Sequence, residues 1–335
     1  MHAVRLHAFG PADHLTYERT GDPEPGPGQV RVAVEAAGVH LLDTALRQGV
    51  RGPFPELPAL PTIPGREVAG TVESLGAGTD PAWLGRRVVA HLGPVPGGYA
   101  ELAVTDAARL HEIPAALDAA RAVALIGTGR TALGVLGFTT VTEDTVALVP
   151  AAAGGIGTLL VQYVKHAGGT VVGLAGGPGK AALVAANGAD LALDYTDPGW
   201  PARVREFLGG RRATVLLDGV GGPVTAAALD LLAPGGEHLV FGWSAQGIGD
   251  AAGPPLLDEA ERARRGITQV RTLGPAMLRR AGGPDPMRTL ELAALDLASR
   301  GVLAPAVSRF PLSGAAAAHR ALESRGTTGK VVLEP

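Results

Sequence analysis

The sequence predicts an α/β protein in two parts: a β-rich region that reads as a small barrel, and a doubly wound parallel sheet. Three observations carry this. Short apolar runs separated by turn residues fill residues 1–120. Between residues 146 and 271, apolar runs alternate with stretches of helical periodicity. A glycine-rich turn, Ala152-x-Gly154-x-x-Gly157, joins the first of those runs, 146–149, to a helical pattern over 158–166. Such a turn lets the backbone approach a pyrophosphate, whose charge then meets N–H groups at a helix start. Alanine replaces the first glycine of the pattern, so the motif draws its weight from the strand before it and the helix after it.

Taken in order, residues 22–28 form a Pro/Gly-rich lead-in, and 30–34 alternate as a half-buried strand should. Residues 61–70 enter a further strand over 68–74, which 85–90 continues, and 97–101 form another edge. The pattern turns helical from Leu117, through 124–126 and 131–136. Strands are then expected at 146–149, 170–175, 191–193, 214–218, 238–241 and 267–271. Residues 245–265 read as a polar, charged insertion of undefined structure. Helices at 287–300 and 314–324 and a last strand at 330–333 complete the chain, which has no internal repeat.

At 335 residues the chain can hold two domains, each with its own core. Hydrophobic content of 46% against 18% charged makes it drier than an average soluble domain. A net charge of -3 argues against a nucleic-acid surface. The lack of cysteine removes disulfides, thiolate nucleophiles and cysteine zinc sites together. Met1-His-Ala-Val-Arg lacks the apolar core of a signal peptide. The uncharged run 145–164 has the length of a membrane span, but Pro150 and three glycines fit a strand and turn better. A soluble, cytoplasmic protein is the expectation, with no membrane partner.

The second strand of the sheet, 170–175, shows which nucleotide suits the turn. An NAD-preferring site carries an acid about 20 residues past the turn, to hold the ribose hydroxyls. Here the strand leads into Gly176-Gly177-Pro178-Gly179-Lys180, with no acid and one lysine. The chain has only three lysines, Lys165, Lys180 and Lys330, so one placed here stands out. The plainer alternative is that Lys180 is a solvated charge at a helix start.

These residues carry a resemblance. Ala37-Gly38-Val39-His40-Leu41-Leu42-Asp43, Ile63-Pro64-Gly65-Arg66-Glu67, the turn at 152–157, Lys180, Asp194-Tyr195, Asp218-Gly219-Val220-Gly221-Gly222, Phe241-Gly242 and Thr328-Gly329-Lys330 follow in order. Together they resemble the medium-chain dehydrogenase/reductase superfamily, in its zinc-independent quinone oxidoreductase branch. The resemblance implies a GroES-like β-barrel catalytic domain over 1–121 and 274–335, and a Rossmann domain over 122–273. It implies NADPH in the cleft between them, held by Thr131, Ala153, Gly154, Gly155, Ile156, Gly157, Gly176, Lys180, Tyr195, Val220, Phe241, Gly242 and Lys330. It also implies a homodimer paired through the edge strand at 267–271.

The departures matter as well. Zinc-dependent relatives have a cysteine at the position of His40 and a histidine at that of Arg66. His40, Asp43 and Glu67 could make an oxygen/nitrogen site, but Arg66 sets a permanent cation there, so no metal is expected. Quinone reductases have asparagine in place of His40 and tyrosine in place of Ala45. Histidine keeps a donor and adds a titratable group, and losing the tyrosine opens the pocket. The expected reaction is hydride transfer from NADPH to a quinone or conjugated enone, whose oxyanion needs donors and then a proton. His40 is the first candidate donor, with Arg47 and Arg66 behind it. Asp43 either orients His40 or caps its helix. Alternatives are an enoyl reductase of a biosynthetic pathway and a crystallin-like NADPH binder without turnover. A structural alternative for His40 is a helix-start residue bonded to nearby backbone.

Overall fold

The structure is a computed structural model that describes every residue except 53, 94, 95, 243 and 245–255. The chain divides into two compact units: residues 1–129, 294–299 and 305–335, and residues 130–293 with 300–304. The expected division at 121/122 moves to 129/130 because the helix Ala119–Ile126 is apolar at every position but the exposed Arg121. Seven of its eight residues are buried, so it belongs with the first unit's core. The expected return at 274 moves to 294, since Met277 and Leu290 pack beside Gly134 in the second unit.

The first unit is built on a sheet ordered Val307–Pro311, Lys330–Glu334, Gln29–Val39, Glu67–Leu75, Arg87–His91, His111–Glu112. Leu102–Asp106 pairs with Gln29–Val39 as well, so that 11-residue strand is the hub. Its alternation at Val30, Val32 and Val34 matches the sequence pattern. After a bulge between Val34 and Ala36 it stays buried to Val39, because the bend brings both faces inside. Residues 97–101 do not form the expected edge strand; they make one isolated bridge, Ala100 to Ala3, and the strand starts at Leu102.

The second unit holds an all-parallel sheet ordered Leu191–Asp194, Thr170–Ala175, Val146–Pro150, Ala213–Asp218, Leu232–Val240, Thr268–Arg271. Numbered by chain position this is 3-2-1-4-5-6, the Rossmann order, whose switch point lies between the first and fourth strands. Val146–Pro150 is buried at every residue, as a strand covered on both faces must be. The fifth strand begins at Leu232, six residues before its expected start, because Pro234, Gly235 and Gly236 form an irregularity within it rather than a turn before it. The expected insertion at 245–265 is a loop at 256–258 and a helix, Glu259–Arg265, over its last part. Its residues 245–255 lie outside the described residues.

A buried polar chain crosses the first unit's core. The Tyr99 hydroxyl donates to Asp43 Oδ2 at 3.2 Å, and His319 Nε2 lies 3.2 Å from the Tyr99 hydroxyl oxygen. A hydroxyl that donates to the carboxylate can only accept from the ring, which places a proton on His319 Nε2. Burial, aided by the Arg47 cation, pushes the His319 pKa down to about 3 from 6.5. Its stabilising contribution is therefore complete above pH 6.5 and is lost as pH falls toward 3. The slope in that window is up to about 1.4 kcal/mol per pH unit. His319→Gln cannot titrate, so its stability deficit relative to wild type should shrink as pH is lowered from about 7 to about 4. Urea unfolding at several pH values reads this directly, and a deficit independent of pH would refute it.

Candidate active site

His40 sits at the junction of the hub strand and the short helix Leu41–Arg47. Its backbone N–H donates to Asp43 Oδ2 at 2.7 Å, so Asp43 caps the helix as acids do in a first turn. The capping box is reciprocal, with the Asp43 backbone N–H on the His40 side chain, so the Asp43 carboxylate holds the His40 main chain and only its N–H meets the ring. The alternative of His40 as a helix-start residue bonded to nearby backbone therefore holds, and the far side of its ring, Nε2, makes a second set of contacts.

The ring is held by charge. His40 Nε2 lies 2.7 Å from Glu67 Oε2 and 2.8 Å from Lys330 Nζ, and Lys330 Nζ lies 2.8 Å from the same Glu67 oxygen. The Glu67 side chain is wholly buried and Lys330 nearly so, whereas His40 keeps 32% of its side-chain exposure. Burial would raise the Glu67 pKa, but His40 and Lys330 outweigh it and hold the carboxyl well below its ordinary range. Two glycines make the space. A Cβ at Gly127 would lie 1.7 Å from Glu67 Oε1, and one at Gly38 would lie 2.4 Å from Oε2.

The geometry reassigns three candidates. Lys330, expected at the cofactor, has its ammonium in the His40 cluster, because a buried cation requires a counter-charge and Glu67 supplies it. Arg47, expected as a donor, is 2% exposed and pairs with Glu323 on the helix Ala315–Glu323, so it faces the core. Arg66 lays its guanidinium over the Phe54 ring, 3.8 Å from the centroid. The permanent cation against His40 and Glu67 is therefore Lys330 and not Arg66. Its ammonium fills the position from which a metal would address both groups, and the described residues contain no cluster of three metal-ligating side chains. The residues present do not fit a zinc ion.

The nucleotide candidates gather at the carboxyl ends of the second unit's strands. After Val146–Pro150 the chain turns at Ala151, a non-glycine residue with φ 54°. The left-handed residue is thus one position before Ala152, which explains why the motif tolerates alanine there. Gly154 caps the helix Gly155–His166, whose first backbone bond is Thr158 N–H to Gly154 O at 2.9 Å. The N–H groups of Gly155, Ile156 and Gly157 precede that bond and have no acceptor within the helix. At Gly157 a Cβ would meet Ala151 O at 2.4 Å and Ala152 Cα at 2.7 Å, so the helix start can approach the strand end only through glycine. Ala153 is buried against this turn.

Lys180 lies in the first turn of the helix Pro178–Ala186, and the Tyr195 hydroxyl sits over Gly176, 2.8 Å from where a Cβ would be. Cβ positions at Gly177 and Gly179 meet nothing within 4 Å, which leaves room for a phosphate beside the loop. Sequence reasoning found no acid in residues 175–180, yet the parallel register sets Asp194 opposite Ala175. Its Oδ1 accepts from Gly177 N, Thr196 N and Thr196 Oγ1 at 2.8–2.9 Å, and these bonds lower its pKa. Asp194 thereby fixes the loop's shape from the neighbouring strand.

At the switch point, Asp218 Oδ1 accepts from Val220 N and Gly221 N, and Oδ2 from Thr225 Oγ1 and His238 Nε2. Burial opposes ionisation of Asp218, but His238 and the backbone donors prevail and lower its pKa. Phe241 packs on Gly219, and a Cβ at Gly242 would meet Gly219 O at 2.8 Å, so both continue the same turn. Thr131 is half-buried in the helix Thr128–Leu136. His238 escaped sequence analysis; a histidine inside an apolar strand was the available signal.

This fold and these two clusters define an α/β oxidoreductase of the dinucleotide-binding class, and the comparisons agree. Residues 26–115 match the Alcohol dehydrogenase GroES-like domain family, and 155–274 the Zinc-binding dehydrogenase family. The quinone oxidoreductase of Pseudomonas aeruginosa is 32% identical over 334 residues, covering 99% of both chains. A 2-haloacrylate reductase of Burkholderia sp. is 32% identical, covering 99% of this chain and 98% of its own. The crystal structure of Escherichia coli quinone oxidoreductase complexed with NADPH superposes with a TM-score of 0.85 at 26% identity, covering all of both chains. The chain belongs to the medium-chain dehydrogenase/reductase superfamily, in its quinone oxidoreductase-like branch.

Proposed function

We propose that this protein reduces a quinone or a conjugated, electron-poor alkene with NADPH, without a metal, and that His40 donates to the oxygen on which charge develops. The observation that carries the proposal is the His40–Glu67–Lys330 cluster: a part-exposed imidazole backed by buried, mutually compensating charges. NADPH supplies the hydride when bound. The residues at 153–157 cradle its pyrophosphate, Val220, Phe241 and Gly242 line the switch point, and Thr131 faces the nicotinamide end. Reduction of an acceptor that already bears a carbonyl, carboxylate or second ring oxygen needs no nucleophile, only orientation and a donor for the new oxyanion. That requirement is what the cluster can meet. The names of the relatives support both acceptor classes, since a 2-haloacrylate is an alkene conjugated to a carboxylate.

The deciding experiment screens quinones, enals, cyclic enones and 2-haloacrylates with NADPH consumption as readout. Turnover should survive prolonged chelation and fall by roughly 10²-fold in His40→Ala, with NADPH binding little changed. His40→Asn, which keeps a donor, should retain much of the rate. A protein that binds NADPH but turns over no acceptor would favour the binder alternative, and an unchanged His40→Ala rate would make the ring structural.

The preference for NADPH rests on Lys180 and Tyr195 beside a roomy glycine loop. A charge-assisted bond to the 2′-phosphate is worth about 1.5–3 kcal/mol, or roughly 10- to 150-fold in affinity. Lys180→Ala should raise the Michaelis constant for NADPH by about that factor while sparing NADH. Equal losses with both cofactors would reassign Lys180 to the fold.

The protein also reads as a cytoplasmic homodimer. Its support is the edge strand Thr268–Arg271, which pairs with Leu232–Val240 on one side and, among the described residues, with no strand on the other. Open edges of this kind are covered or paired in stable proteins. Among the described residues, no single helix is long and apolar enough to cross a membrane. Light scattering at micromolar concentration should give twice the chain mass, and a monomer would contradict the dimer.

A further inference from the structure

We propose that His238 and Gln269 are positioning residues for the cofactor: they form a one-way hydrogen-bond chain that ties the edge strand Thr268–Arg271 to the turn at Val220 and Gly221, and so set how tightly NADPH binds. The inference rests on the placement of NADPH against that turn, made above.

The chain follows from strand register. In the parallel sheet Gln269 stands opposite His238, and His238 stands opposite Leu216. Asp218, two residues past Leu216, lies on the same face as His238, one diagonal step away. Three polar side chains thus share one face of three successive strands. Gln269 Nε2 lies 2.8 Å from His238 Nδ1, and His238 Nε2 lies 3.0 Å from Asp218 Oδ2. The side chains of His238 and Asp218 are each 2% exposed, so solvent does not compete for their bond.

Each bond has only one possible direction. The backbone N–H of Leu257 can only donate, and it reaches Gln269 Oε1 at 2.8 Å. That leaves the Gln269 amide nitrogen, also only a donor, facing His238 Nδ1. Nδ1 must accept, so it bears no proton, and the single ring proton sits on Nε2 and is donated to Asp218. His238 is therefore a neutral imidazole of one fixed tautomer. Asp218 ends the chain. Its Oδ2 accepts from His238 and from Thr225 Oγ1 at 2.8 Å, and its Oδ1 accepts from Val220 N at 2.9 Å and Gly221 N at 3.1 Å. These donors fill the lone pairs of the carboxylate, so it holds the turn and has none left for a ligand.

The turn needs such holding. Gly221 and Gly222 have φ of 73° and 68°, a region that glycine enters freely and other residues rarely do. A backbone so rich in glycine has little shape of its own, and the Asp218 carboxylate imposes one. That carboxylate is oriented from two sides. Thr225 acts from the helix Gly222–Leu229, which continues the turn itself. His238 acts from a neighbouring strand and is anchored outside the turn, through Gln269 to Leu257. Leu257 packs on the apolar core of the second unit, so the far end of the chain is fixed as well.

The experiment measures NADPH dissociation constants by fluorescence titration, which requires no acceptor. His238→Leu should weaken binding about 10-fold and Gln269→Leu about 5-fold, in the range of single buried hydrogen bonds. His238→Gln, whose amide offers a donor and an acceptor at the spacing of the ring nitrogens, should stay within about threefold of wild type. With the chain already cut at residue 238, Gln269→Leu should add nothing, so the double variant binds about 10-fold more weakly and not the roughly 50-fold of independent effects. Additive losses, or unchanged affinity in the folded single variants, overturn the proposal. A second arm needs no variant of altered affinity. In long-range 1H–15N spectra of histidine-labelled wild type, the resonance lost in His238→Gln should show a proton on Nε2 and a bare Nδ1. A proton on Nδ1 overturns the chain even if the leucine variants do not fold. Added NADPH should also shift the Val220 amide resonance, and an unmoved resonance would overturn the placement of the cofactor at this turn, on which the proposal rests.

Discussion

The first unit depends on one buried carboxylate. Glu67 is held without solvent, and a charge so placed is tolerable only if it is paired and hydrogen-bonded. This requirement reaches far into the sequence. It demands the ammonium of Lys330 on the strand Lys330–Glu334, the imidazole of His40 at the end of the hub strand, and the absence of side chains at Gly38 and Gly127. Four segments of the chain are thereby committed to one atom group. Replacing Glu67 by an apolar residue would leave Lys330 buried and unpaired, so the pair is held in place by what either member would cost alone.

In the second unit the organising constraint is steric. The strand Val146–Pro150 must hand over to a helix while keeping the first-turn N–H groups pointed outward. The close contact of Gly157 with Ala151 and Ala152 secures that, and the strained backbone of Ala151 is part of the same turn. Side chains from the neighbouring strands then shape the rim. Asp194 grips the loop before Lys180, and Asp218 grips the turn at Val220 and Gly221. In both places a carboxylate spends its charge on backbone donors and so organises the nucleotide turn instead of meeting a ligand.

Much of this was legible from local pattern. Alternation gave the hub strand's first half, continuous apolar runs gave the parallel strands, and the glycine turn marked the start of the helix Gly155–His166. These features are encoded within a few residues of where they act. What was missed depends on distant partners. Nothing near Lys330 tells that its ammonium is buried, because its counter-charge comes from Glu67 in another part of the chain. Arg47 looked like a donor because Glu323, which draws it inward, lies on a late helix. Asp194 stands beside Gly177 only through strand register, which a linear reading of residues 175–180 cannot contain. The extension of the hub strand past Val34 follows from a bulge, whose position no alternation pattern announces.

The separation of Lys330 from His40 has a consequence for how the protein comes into being. The two side chains meet across 290 residues of chain, with the whole of the second unit synthesised between them. Until the ribosome has passed residue 330, Glu67 and His40 have no ammonium to close around, and the hub strand lacks the neighbour Lys330–Glu334 that pairs with it through Val331, Val332 and Leu333. The second unit's sheet closes within a continuous stretch of sequence and can form as it emerges, whereas the first unit, begun earlier, must wait longer. The order of completion thus inverts the order of synthesis, and a stalled or shortened chain would display a finished nucleotide fold beside a barrel with an open edge and an unanswered charge.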